Sequence, residues 1–108
     1  MRYACIYHPA QSNMQRPTEE GMAAMGALIE RMMKSGRLIV TEPLGSPDKG
    51  GKVERANGQF TVSALTDRPG GYAILQADSR EALIDQVKEF LDTAGDGSCE
   101  FRQIVEMG

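Results

Sequence analysis

The sequence predicts an α+β fold in which two helices lie on one face of a sheet and an extra β-hairpin is set into the chain. Three observations carry that expectation. Residues 70–91, GGYAILQADSREALIDQVKEFL, join a short apolar strand to the most regular amphipathic helix of the sequence. Residues 18–36 hold a second helical pattern with an extended run on either side. Asn57-Gly58 stands between two short arms of strand character.

In the first of these, Tyr72 to Ala77 is bounded by Gly70-Gly71 and by Asp78. An apolar run without polar alternation suits a strand covered on both faces. Asp78 occupies the expected N-cap, with Glu81 three residues on, the spacing of a capping box. Leu83, Ile84, Val87, Phe90, Leu91 and Ala94 then recur at helical spacing and turn Arg80, Asp85, Lys88, Glu89 and Asp92 outward. Gly95 follows as a left-handed cap.

From the start of the chain, Met1 to His8 reads as a strand, with Tyr3, Cys5 and Tyr7 on one face and Ala4, Ile6 and His8 on the other. Pro9 to Pro17 is a polar loop. Thr18 is an N-cap, and Glu19 and Glu20 complement the helix dipole in the first turn. Met22, Met25, Ile29 and Met32 form a methionine-rich core stripe, Leu28 and Met33 lie alongside, and Gly36 ends the helix. Leu38 to Thr41 is a β-branched strand within Arg37–Glu42. Pro43 to Gly51 is a loop. The Asn57-Gly58 turn then sets Ala56 opposite Gln59 and Val53 opposite Val62, because both central turn positions need positive φ. Ser98 to Met107 closes the chain as a strand with Cys99 and Phe101 on one face and Glu100 and Arg102 on the other. With the hairpin set aside, the order is βαββαβ, the ferredoxin-like arrangement. Its second sheet face has no cover within the chain, so pairing with another sheet is the physical remedy.

Composition narrows the functional classes. The 108 residues suit one small domain, with 41% hydrophobic and 25% charged residues. A net charge of −3 leaves no basic stripe for nucleic acid. No apolar run reaches membrane-spanning length and no signal-peptide core opens the chain, so a cytoplasmic location is expected. Cys5 and Cys99 lack metal-ligand spacing. They can fall on neighbouring strands, though a reducing compartment disfavours a disulfide. No metal or cofactor motif is present, and Gly45, Gly50 and Gly51 do not make a phosphate loop.

Several segments together resemble the YCII-related (DGPF-domain) family. Met1-Arg2-Tyr3 is similar to the family's first strand, and Glu30 to Leu38, ERMMKSGRL, to its helix end and second strand. Ala56 to Val62 resembles its hairpin, and Gly70 to Leu75, GGYAIL, its GGY strand before an acid-capped helix. The resemblance implies a dimeric α/β barrel, two such sheets face to face, with a pocket between sheet and helices. The name-giving Asp-Gly-Pro-Phe tetrapeptide is missing; Ser63 to Pro69, SALTDRP, stands in its place. Some relatives carry a helix histidine that works with an aspartate, and its position falls near Met25. That pair is therefore not carried over by position.

The chemistry on offer is sparse, and the catalytic residues, if any, are unknown. His8, the single histidine, is a possible base, although a strand-end histidine is more often without a role. Asp67 and Arg68 lie in a loop able to present polar groups to a pocket, or else form a solvated turn. Tyr72 lines either a pocket or the core. Glu42 stands near the expected pocket mouth, where strand-end acids are commonly just solvated. If the end of the first strand and the Ala64–Pro69 loop converge, His8, Asp67, Arg68 and Tyr72 form one ligand site, with Arg68 holding an anionic group. Three classes follow: a small-molecule-binding homodimer without catalysis, a cofactor-free lyase or isomerase on a small aromatic or lactone substrate, and an interaction module. The last follows from the resemblance, since relatives are associated with alternative sigma factors.

Overall fold

The computed structural model describes residues 1–11, 18–67 and 69–106. In chain order they form β1 (Arg2–Pro9), α1 (Glu19–Lys34), β2 (Leu38–Pro43), β3 (Lys52–Ala56), β4 (Gln59–Ser63), β5 (Gly71–Gln76), α2 (Arg80–Ala94) and β6 (Gly97–Gln103). Pro47–Lys49 adds one 3-10 turn to the loop after β2. The main sheet runs β2-β5-β1-β6, with each neighbouring pair antiparallel. This is the ferredoxin-like α+β arrangement, with both helices on one face and β3–β4 apart as a two-stranded sheet.

The helix ends follow from local chemistry, with one shift. Thr18 Oγ1 accepts from the Gly21 N–H at 3.0 Å and caps α1. At its other end Gly36 N donates to Met33 O and Arg37 N to Met32 O, the paired bonds that satisfy a helix's last carbonyls. The cap of α2 is Ser79, not Asp78: Ser79 Oγ accepts from Ala82 N at 3.1 Å. Ala77 N is still tied to Met1 O, so the chain stays extended one residue further and the Asp78–Glu81 box does not form. Gly95 closes the helix at φ 99° and ψ −172°, outside the left-handed helical region.

The core fills the space between the sheet and the helices. Tyr3 and Cys5 from β1, Leu75 from β5, Leu28 and Met32 from α1, and Leu83 and Val87 from α2 are all buried. Leu28 and Leu83 are the two largest side chains with essentially no exposure. Met25 and Ile29 pack partly against this cluster. Met22 and Met33 depart from expectation and stay about half exposed, Met22 in the first turn beyond the core cluster and Met33 off the side that faces the sheet. Gln86 is buried, and its Nε2 ties α2 to Gln76 O at 3.3 Å.

The other sheet face is open. Ala4, Ile74 and Val40 align across three strands, and Ile6 aligns with Tyr72 and Glu42 beside them. Ile6 is 42% exposed. Among the described residues the central strand is therefore covered on one face, not on both, since α1 and α2 pack on the same side of it. The last strand is also shorter than its alternation suggested. Pairing stops at Gln103 opposite Tyr3, where β1 has almost run out of partners, and Val105 is 78% exposed.

The hairpin has the expected register, Val53↔Val62 and Ala56↔Gln59. Asn57 (φ 52°) and Gly58 (φ 77°) both take positive φ, as a type I′ turn requires. Added side-chain atoms at Gly58 would meet only Arg55, at 4.0 Å, so backbone strain and not crowding penalises substitution. Gly58→Val is expected to cost roughly 1–2 kcal/mol. Val53, Phe60 and Val62 are 67%, 71% and 76% exposed, so among the described residues little in the main body packs against the arm. An unsupported hairpin is marginal in water. The loss should therefore register in faster hydrogen exchange of hairpin amides, and unchanged exchange would rule out the strained turn.

Candidate functional site

The cleft opens at one end of the sandwich, where β1 and β2 finish and β5 and β6 begin. It lies between α1 from Gly21 to Met32, the later turns of α2 and the sheet, and its volume is about 1020 Å³. Cys5, Tyr7 and Ala73 belong to its floor, Met25 and Ile29 to the α1 wall, and Phe90 to the α2 wall. The Tyr7 and Phe90 rings meet edge to face at 5.1 Å, and Tyr7 Oη reaches Asp96 O at 3.4 Å. Gly70 and Gly71 shape the mouth by close approach. A Cβ at Gly70 would lie 2.8 Å from the Tyr7 ring, and one at Gly71 would lie 2.8 Å from Glu42 O.

Polar groups gather at the edge of the cleft. The Tyr72 hydroxyl donates to Glu42 Oε1 at 2.9 Å, and Thr41 Oγ1 donates to Tyr72 O at 3.0 Å. The carboxylate accepting its proton lifts the Tyr72 phenol above its ordinary value, so the hydroxyl stays a neutral donor. Tyr72 and Glu42 both border the cleft, although the register places their side chains on the open-face side of the strands.

The four residues proposed from sequence are distributed as follows. Tyr72 borders the cleft. His8 lies on the open sheet face, where Nε2 is 3.0 Å from Glu100 Oε1. Asp67 is exposed in the loop after β4, and neither it nor His8 is among the described lining residues. Arg68 lies outside the described residues. The acid beside His8 is thus Glu100, which comes from the neighbouring strand. Met25 lines the cleft from α1.

Two groupings were not visible as sites in the sequence. Glu42 joins Tyr72 only because β2 pairs with β5, thirty residues away. Cys5 and Cys99 sit on paired strands and both line the cleft, a proximity that strand pairing hinted at and that their spacing conceals.

A βαββαβ sheet with a cleft beneath its helices defines a ferredoxin-like α+β protein. The chain belongs to the YCII-related domain family, whose model matches residues 1–108. Among solved structures it is similar to 5-chloro-2-hydroxyhydroquinone dehydrochlorinase from Burkholderia phenoliruptrix, in complex with 2,5-dihydroxybenzoquinone. The two share 17% identity and a TM-score of 0.60, over 99% of this chain and 96% of that one. No curated protein matches the chain in sequence. Among the described residues, no helix is long and apolar enough to cross a membrane.

Proposed function

We propose that this chain is a single-domain, cytoplasmic homodimer, a dimeric α/β barrel that binds a small, largely apolar ring compound in the cleft. The cleft carries this reading. Its 1020 Å³ sits at the upper end of the roughly 300–1,000 Å³ typical of small-molecule sites. Apolar walls from both helices, with Thr41, Tyr72 and Glu42 at one edge, match the pattern of a mostly apolar pocket with a few orienting polar groups. Dimerisation through the open sheet face would cover Ile6 and Ile74. A radius of gyration of 15.9 Å, against roughly 13 Å for a compact chain of this length, reflects an arm able to reach a partner.

A second reading, a cofactor-free lyase or isomerase on an aromatic or lactone substrate, is favoured by the Tyr72–Glu42 pair. The pair borders the cleft from the open-face side of its strands. It would therefore meet a substrate proton only at the mouth, where a carboxylate bound to a phenol can orient it. Ligand-observed NMR with a set of small ring compounds tests binding. Ala73→Phe, which fills the floor, should abolish saturation transfer while leaving the circular dichroism unchanged. No binding at millimolar concentration, or binding indifferent to Ala73→Phe, would refute the proposed site.

A further inference from the structure

We propose that Cys99 is a nucleophilic site in the cleft, held by Cys5 beside it, and that it adds to small conjugated carbonyl compounds of the enone type. The inference rests on the ligand-binding reading of the same cleft and names a chemical class for it. Its basis is placement. Cys5 is opposite Phe101 and Cys99 opposite Tyr7, so the two cysteines are diagonal neighbours on paired strands, both on the helix-covered face. Both are free thiols and both line the cleft. Cys5 is 3% exposed, whereas Cys99 is only half-buried and is the sulfur a ligand can reach.

The pair also decides which sulfur ionises. Hydrogen bonding to Cys99, reinforced by burial, holds the Cys5 thiol far above its ordinary value. The bond from Cys5 draws Cys99 below it, against the smaller opposing effects of burial and Glu100. Strand alternation turns Glu100 to the opposite face, where it meets His8. The other described titratable groups lining the cleft are Tyr7, Glu42 and Tyr72, and the last two bind each other. The described lining from α1 and α2 has no acid or base. A thiolate, not a thiol, is the attacking form.

In the reaction, Cys99 Sγ⁻ forms a bond to the β-carbon of the enone and the π pair moves onto the carbonyl oxygen. The resulting enolate takes a proton at the α-carbon from water, and the hydroxide left is neutralised by the proton Cys99 released on ionising. The sum is S–H added across C=C, with nothing oxidised or reduced.

N-Ethylmaleimide, followed by intact mass and peptide mapping across pH, tests this on the wild-type protein. The first adduct is expected on Cys99, with a half-maximal rate below the pH of about 8.5 typical of free cysteine. Cys5→Ala should move that midpoint upward, and Cys5→Ser, which restores a donor, should bring it back in part. Labelling of Cys5 first, or a Cys99 rate equal to that of the denatured chain, would overturn the inference. Ring compounds binding the cleft while Cys99 shows no preference would sink the nucleophile and leave the binding reading standing. Preferential Cys99 labelling with no ring compound bound would do the reverse.

Discussion

Leu83→Ala is expected to lower the unfolding free energy by about 2–5 kcal/mol, the range for removing a fully enclosed leucine. Leu83 has 0% exposure and belongs to the buried core cluster, so truncation leaves a cavity among its packed neighbours. Two terms add: the apolar surface no longer removed from water, and the contacts that the lining loses when it cannot collapse. Small domains have little stability to spare, so a loss of this size is a large share of the total. Leu83→Met, which conserves volume, should cost less than about 1.5 kcal/mol. Urea unfolding followed by circular dichroism measures both. An alanine variant with the wild-type midpoint would mean that α2 does not anchor the core.

The second large effect concerns assembly. In a dimer formed through the open face, Ile6→Asp would place a carboxylate between two sheets, directly opposite the like charge of Glu100. An unpaired charge at such a position costs about 3–5 kcal/mol, or roughly two to four powers of ten in dissociation constant. Folding of the single chain should survive, because Ile6 points away from the helices and is 42% exposed. Light scattering and analytical ultracentrifugation of Ile6→Asp should therefore report a folded monomer at micromolar concentration, against a dimer for the native chain. A native chain that is itself a stable monomer, or an Ile6→Asp variant that stays dimeric, would remove the open face from the interface.

Reading the sequence alone works best where the determinants are local. The Asn57-Gly58 turn and its register follow from the steric demands of two positive φ angles, and they appear as expected. Thr18 caps α1 through a hydroxyl three residues from Gly21, another short-range effect. The alternation of β1 separates Tyr3 and Cys5 from Ile6 for the same reason, and packing of the helices makes the first two core and leaves Ile6 on the open face. The misplaced cap at Asp78 marks the limit even at short range. Asp78 and Ser79 are both good caps, and a tertiary hydrogen bond from Ala77 to Met1 decides between them.

By itself, then, the sequence determined the elements and their order, because spacing and backbone sterics act within a few residues. Tertiary structure alone decided the pairings that make a site. Strand pairing put Glu100 beside His8, Glu42 beside Tyr72, and Cys5 diagonal to Cys99, each across a separation that no local pattern encodes. The cleft itself is lined by both helices and by the sheet, and its shape depends on how whole elements pack.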